Sequence, residues 1–262
     1  MVVKAIGKSL SYLLYKAPKG KINPNSLGYI CPDKTINFAT AETANTYAKN
    51  VVMQALNCPN PYEKSVIVNG KRILYEQNGS HSQCLVSTNT DGIWVHGHPD
   101  FWGKGKTTPF SALDYNAFMI SKSNNALIYN SIGQKSQLTK KETSSFWDKL
   151  MLKLIPKDKY NAIKTQSRIT VCSSGYNNAL LKNCSGSIKL KLNKLAIRRF
   201  IAMVKKDVPN FEKYTKEYTD LYNQELEKAL QDEKVAERLH SFWIKNAKRF
   251  GVEYSSNFGN FA

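Results

Sequence analysis

Two short motifs in the middle of the chain carry side chains of the types that bind metal ions. The first is VHGHP at residues 95–99, and the second is SALD at residues 111–114. Residues i and i+2 of a β-strand point to the same side, so we expect His96 and His98 to direct two imidazoles to one point. Asp114, one turn into a following helix, can bring a carboxylate to that point.

Two imidazoles and one carboxylate leave the fourth position of a tetrahedral Zn²⁺ open, which is typical of catalytic zinc. Zinc lowers the pKa of a water in that position toward ~7 and so supplies hydroxide at neutral pH. A nearby carboxylate is then needed to move the proton to a leaving group. The motifs therefore indicate a Zn²⁺ cofactor and hydrolytic chemistry.

The elements around these motifs indicate an α/β core. Residues 40–56 have the apolar spacing of one helical face, and Asn69-Gly70 is a strong hairpin signal between residues 65–68 and 72–75. The pattern also predicts strands at residues 84–87, 93–96 and 126–129, and helices at 111–123, 141–155, 191–206 and over most of 210–248.

The two motifs resemble those of the JAB/MPN (JAMM) family of zinc metalloproteases and isopeptidases. The family pattern is a Glu on an early strand, then H-x-H-P and S-x-x-D. The resemblance implies that His96, His98 and Asp114 bind zinc. It implies that Ser111 hydrogen-bonds the oxyanion or the water, and that Glu63 is the general base and then the acid.

The resemblance covers residues 40–140, and the Glu-led strand that runs into a hairpin is similar to the prokaryotic and phage-type branch. Glu42 and Glu76 are the alternatives to Glu63. The loop that precedes Asp114 is longer than is usual in the family. Its Gly- and Lys-rich stretch at residues 102–108 can reshape the substrate groove or place two lysines beside an acidic substrate.

Each of these residues also has an ordinary structural interpretation. Ser111 and Asp114 have the spacing of a helix N-cap, which is compatible with a role in a site. Glu63 can be a surface residue at the entrance of a strand. Trp94 and Trp102 fit packing or a groove wall better than chemistry.

The composition fits a folded protein with an anionic partner. The chain has 262 residues, of which 42% are hydrophobic and 22% charged, and its net charge is +18. This excludes a disordered chain. Residues 41–120 carry 6 basic and 6 acidic side chains, whereas residues 121–185 carry 11 and 3. The basic flanks can bind nucleic acid or another polyanion, or simply keep the protein soluble.

The sequence predicts three regions: a basic segment at 1–39, a zinc hydrolase core of JAB/MPN type at 40–140, and a basic, mainly helical region at 141–262. The core is expected to have a mixed sheet flanked by helices. No run reaches the roughly 20 apolar residues of a membrane span. The 5 cysteines form no CxxC pair. They favour a reducing compartment such as the cytoplasm. The resemblance implies the cytoplasm of a bacterium or of a host cell, with a virion-associated protein as the alternative.

Two functions follow from these observations. In the first, the protein is a zinc metallopeptidase or isopeptidase that hydrolyses an amide bond of a protein substrate, with ubiquitin-like proteins as the substrates that the resemblance suggests. In the second, the JAB-like domain is a binding or structural protein, for example one that associates with a phage head or with nucleic acid.

Overall fold

The computed structural model describes residues 35–81, 84, 86–87, 89–100, 106–141, 146–205, 207–232 and 234–258. The predicted segment 1–39 lies outside these residues except for its last part, 35–39. In the described part, no helix combines the length and the apolar character that crossing a membrane requires.

Seven described strands form one mixed sheet with the order β1-β3-β2-β4-β5-β6-β7. Only the β4–β5 pair is parallel; the other described pairs are antiparallel. The strands are β1 (Ile36–Asn37), β2 (Lys64–Asn69), β3 (Arg72–Asn78), β4 (Ile93–Gly97), β5 (Asn125–Tyr129), β6 (Lys135–Lys140) and β7 (Val252–Ser256).

The described helices lie between these strands along the chain. They are α1 (Ala41–Leu56), α2 (Ala112–Ile120), α3 (Phe146–Leu154), α4 (Lys157–Leu180), α5 (Gly186–Val204), α6 (Val208–Ala229) and α7 (Lys234–Asn246), and a 3₁₀ turn (Ala247–Phe250) follows α7. The α/β class of the prediction is confirmed.

Helix α1 packs on one face of the central strands. Its small residues Ala44 and Ala48 and the branched Val52 are fully buried against Val66 of β2 and Val95 of β4. Small side chains let the helix approach the sheet closely. The apolar face that repeats every 3.6 residues in α1 packs on the apolar face that repeats every 2 residues in the strands. This contact is the main core beneath the centre of the sheet.

Buried hydrogen bonds join α2 and the residue before its N-cap to α7 and the 3₁₀ turn. The indole Nε1 of Trp243 donates a 2.7 Å hydrogen bond to the carbonyl of Phe110, and the Tyr115 hydroxyl donates one of 2.8 Å to the carbonyl of Phe250. Trp243 and Tyr115 are fully buried. Residues from the end of the chain thus fix the start of α2, where the second motif lies.

The chain divides into two compact units, one of which contains the helices α5 and α6 within Asn183–Ala229. In that unit the aromatic side chains Phe211, Tyr214, Tyr218 and Tyr222 of α6 are half-buried. The guanidinium groups of Arg198 and Arg199 lie over the rings of Tyr214 and Tyr218. The other unit holds the sheet, and β7 comes to it from the region beyond residue 140.

Most predicted elements are found, but some are absent or were missed. The strand predicted at 84–87 is wrong, since the described residues Cys84, Val86 and Ser87 are irregular. Both edges of β4 are already paired, with β2 and β5, so the sheet offers this segment no place beside β4. The mainly helical stretch predicted over 210–248 is confirmed and consists of α6 and α7, whereas α4, β1, β6 and β7 were not predicted.

Candidate metal centre

Strand β4 and the residue after it place the two histidines of the first motif on one face of the sheet, as the spacing predicted. The side chain of His96 is fully buried and that of His98 nearly so. Gly97 lies on the opposite face, where an added Cβ would lie 2.7 Å from Cγ1 of Val52. The residue between the histidines is therefore a glycine because α1 approaches the backbone there.

The start of helix α2 brings the carboxylate of Asp114 to the histidines. Ser111 is the N-cap, and its Oγ accepts a 3.1 Å hydrogen bond from the backbone N–H of Asp114. In return, Oδ2 of Asp114 accepts a 2.7 Å bond from the N–H of Ser111. This capping box fixes the aspartate in one orientation. The hydroxyl proton of Ser111 is not used by the cap, because its oxygen acts there as an acceptor.

The ligand atoms lie at distances that suit one metal ion. Nε2 of His96 is 3.5 Å from Oδ1 of Asp114, and Nε2 of His98 is 3.3 Å from Oδ2. Tetrahedral Zn²⁺ with bonds of about 2.0–2.1 Å separates its ligand atoms by about 3.3–3.4 Å. The three side chains form the one such cluster of potential ligands among the described residues.

His96 is the least well satisfied of the three side chains. Both ring nitrogens are buried and neither makes a hydrogen bond, although Nε2 lies 3.5 Å from Oδ1 of Asp114. Its ring stacks on that of Trp94, with 4.2 Å between the centroids. Burial lowers the pKa of His96 in spite of the nearby Asp114, so the ring is neutral and its nitrogen free to coordinate. An unpaired buried imidazole is costly, and a bound cation removes that cost.

His98 is held by a partner on its other nitrogen. Nδ1 lies 2.9 Å from the carbonyl oxygen of Thr108, which can only accept, so Nδ1 carries a proton and Nε2 faces Asp114. Burial disfavours the charged ring, but the hydrogen bond and charge of Asp114 outweigh it and raise the pKa of His98 to about 9. Despite its burial, the pKa of Asp114 lies well below the usual range, because the two histidines favour the carboxylate.

Glu63 lies beside this cluster, just ahead of β2. Its backbone is held by a 2.8 Å bond to Ser80 and a 2.7 Å bond from Gly79, and its side chain is buried. Burial raises the pKa of Glu63 to about 7, while the positive charge of His98 opposes the rise. Its carboxylate is not one of the mutually close ligand atoms.

The alternatives to Glu63 are engaged or exposed elsewhere. Glu76 forms a 2.6 Å ion pair with Lys64 and accepts a hydrogen bond from Tyr47. Glu42 is an exposed residue in the first turn of α1. Of the three glutamates, only Glu63 interacts electrostatically with His98 and Asp114.

Sequence reasoning missed two residues that contact this site. Cys84 lies close enough to Glu63 for its backbone and its side chain to lower the pKa of that carboxyl group. Thr108 orients His98 through its carbonyl oxygen. Neither residue type signals such a role, although Thr108 lies in the long loop that the sequence analysis singled out. Trp102, predicted to lie near the site, is outside the described residues.

Comparisons of the chain with protein-family models, with curated proteins and with solved structures found no match. The functional interpretation therefore depends on the residues and geometry described above.

Proposed function

We propose that the protein is a zinc-dependent hydrolase that cleaves a peptide or isopeptide bond. The observation that carries the proposal is the buried cluster of His96, His98 and Asp114, in which both ring nitrogens of His96 are buried and make no hydrogen bond. When bound by these three side chains, Zn²⁺ supplies Lewis-acid polarisation and lowers the pKa of water toward ~7.

Glu63 is suited to move the proton of the attacking water. A general base works best when its pKa is near the working pH, and burial brings the pKa of Glu63 to about 7. A cation bound by the neighbouring cluster favours the ionised carboxylate, which can accept a proton from water. The protonated side chain then returns the proton to the leaving nitrogen.

Ser111 is suited to stabilise the oxygen of the scissile carbonyl. Its oxygen is anchored by the cap of α2, so its remaining O–H donor is held on the same turn as Asp114. A fixed donor that points at developing negative charge stabilises a tetrahedral transition state. We place the reaction in a reducing compartment such as the cytoplasm, because Cys58, Cys84, Cys172 and Cys184 are free thiols.

The first test measures the metal content of the full-length protein by mass spectrometry. We expect about one zinc per chain, lost in His96→Ala/His98→Ala and retained in His81→Ala, which removes an exposed histidine outside the cluster. Absence of zinc in the wild type after reconstitution would refute the proposal.

The second test measures hydrolysis of peptides and of conjugates of ubiquitin-like proteins. We expect Glu63→Gln to keep zinc and to lose activity by about 10²- to 10⁴-fold. Hydrolysis at the wild-type rate in this variant would exclude Glu63 as the proton carrier.

A second function, polyanion binding, is favoured by helix α5. It carries Lys189, Lys191, Lys194, Arg198 and Arg199 and no acidic residue. If this helix binds nucleic acid, affinity falls steeply with salt, and neutralising Lys191 and Lys194 reduces the salt dependence. A protein that binds nucleic acid in this way and neither holds zinc nor hydrolyses amides would have this second function.

A further inference from the structure

The two histidines of the candidate metal centre are held in different ways. The ring of His98 is oriented by a hydrogen bond between Nδ1 and the carbonyl oxygen of Thr108, which are 2.9 Å apart. A histidine that binds a metal ion almost always has such a partner on its other nitrogen, which fixes the orientation and the tautomer of the ring. Neither ring nitrogen of His96 makes a hydrogen bond. A different kind of contact therefore has to hold the His96 ring.

Trp94 makes that contact. Its indole ring stacks on the imidazole of His96, with 4.2 Å between the ring centroids and 10° between the ring planes. The two residues are two apart in β4, so their side chains leave the same face of the sheet side by side. Covalent geometry restricts the last torsion angle of a histidine side chain only weakly. A flat ring stacked on the imidazole leaves it two orientations, which differ by a half-turn.

Asp114 distinguishes between these two orientations. In the observed orientation, Nε2 of His96 lies 3.5 Å from Oδ1 of Asp114. A half-turn of the ring would place a carbon atom where Nε2 lies and would remove the nitrogen from the cluster of potential ligands. The indole therefore fixes the plane of the imidazole, and the aspartate selects the edge that faces it.

Strand β2 holds the indole ring in turn. The Nε1–H group of Trp94 donates a 2.9 Å hydrogen bond to Oγ of Ser65, and both side chains are fully buried. Ser65 is paired directly with His96 across β2 and β4. An indole N–H that lost this acceptor would be buried without a partner, which is costly. The hydrogen bond thus keeps the indole in the position from which it stacks on His96.

We propose that Trp94 is a positioning residue, which orients His96 for metal binding through the face of its ring, and that Ser65 fixes the indole for this role. Trp94 makes no bond to the metal and transfers no proton. The benefit to catalysis rests on the proposed function, whereas the stacked arrangement is a property of the protein without zinc.

The stack is tested first by NMR spectroscopy of the zinc-free, full-length protein. Protons above the face of an aromatic ring are shielded, so the ring protons of His96 should resonate upfield of those of His81, which is exposed. The His96 signals are identified as those that disappear in His96→Gln. We expect the upfield shift to be lost in Trp94→Leu and largely kept in Trp94→Phe. The same His96 shifts in Trp94→Leu and in the wild type would overturn the proposal.

Zinc affinity then measures what the stack contributes to metal binding. In competition with a chromophoric chelator at one fixed pH, we expect Trp94→Leu to bind zinc about 10- to 100-fold more weakly than the wild type. Trp94→Phe, which keeps a flat ring, should recover most of this loss. Val95→Ala is the matched control, because it removes buried apolar atoms from the same strand on the face that packs against α1. An equal loss of affinity in Trp94→Leu and Val95→Ala, or no loss in Trp94→Leu, would overturn the positioning role.

Ser65 is tested by a double-mutant cycle, which also decides the matter if Trp94→Leu does not fold. We expect Ser65→Ala to weaken zinc binding by about 2- to 10-fold when Trp94 is present. In the Trp94→Phe background there is no indole N–H to hold, so Ser65→Ala should have little further effect. A loss of the same size in both backgrounds would show that Ser65 acts without the indole, and would overturn the proposed coupling.

Failure of this proposal and failure of the proposed function give different results. Zinc binding that does not depend on Trp94 or Ser65, together with hydrolysis, would overturn only the positioning role. Zinc binding that depends on Trp94 without any hydrolysis would support the positioning role and refute the proposed reaction. A wild-type protein that binds no zinc would overturn both.

Discussion

Zinc and protons are expected to compete for the same site, and the competition is centred on His98. Without metal, Asp114 raises the pKa of His98 to about 9, so its imidazole is protonated at neutral pH. A histidine must be neutral on the nitrogen that binds a metal. Binding of Zn²⁺ must therefore displace the proton that lies between His98 and Asp114.

The size of this effect follows from the pKa of His98. A pKa of about 9 leaves about one site in 100 free of the proton at pH 7, which weakens zinc binding by about 3 kcal/mol. Because the pKa is raised, the proton is held below pH 9 and lost above it. We therefore expect the apparent zinc affinity to increase about tenfold for each unit of pH up to about 9.

Isothermal titration calorimetry at pH 7 in buffers of different ionisation enthalpy measures the protons released. We expect about one proton or more per zinc bound. In Glu63→Gln, release of about one proton should persist, because the ligands and the proton of His98 are retained. Release of less than about half a proton in the wild type would show that His98 is already neutral, and would refute the effect assigned to Asp114.

Three further variants test the packing, the cap and the buried acid. Gly97→Ala brings a Cβ against α1 and should lower the free energy of unfolding by about 1–3 kcal/mol in urea titrations, whereas Gly186→Ala, with no atom within 4 Å, should change it little. Ser111→Ala should lower the stability by about 1 kcal/mol and remove most hydrolytic activity. Its zinc affinity should fall less than tenfold, because the backbone N–H of residue 111 still donates to Asp114. An equal loss of activity and of zinc affinity would contradict this prediction. The pKa of Glu63 is near 7, above its ordinary 4.5, so the contribution of Glu63 to folding stability is present below pH 4.5 and is lost as the pH rises through 7. The zinc-free Glu63→Gln variant should therefore be more stable than the wild type at pH 8, by up to about 3 kcal/mol, and should gain no stability at pH 4.5.

The sequence was sufficient to predict the cluster of potential ligands, because each of the three side chains is placed by local geometry. His96 and His98 share a face through the two-residue period of β4. Asp114 is placed by the N-cap spacing from Ser111, which the structure confirms as a capping box. These features depend on neighbours in the chain and are readable from one sequence.

Other elements depend on partners that are distant in the sequence, so they could not be predicted from the local pattern of residues. Strand β7 pairs with β6 although more than 100 residues separate them, and of β7 only Val252 is buried. Helix α4 buries a narrow stripe, from Ile169 to Leu180, within a stretch rich in Ser, Thr and Asn, so its apolar period is weak. Cys84 was assigned to a strand from its apolar neighbours, which concealed its contact with Glu63.

The fold and the candidate site share strand β4, and this sharing explains how the ligand positions are fixed without metal. Val95 and Gly97 pack against α1, whereas Trp94 and His96 lie on the opposite face. A shift of β4 by one residue in its pairing would bury His96 against α1 and turn Val95 toward the site. The apolar core therefore fixes the register that places the histidines. The core that does so contains none of the ligand side chains. The sheet therefore holds the two histidine side chains in place without a metal ion, and a metal that bound there would not have to supply the energy to fold this part of the site.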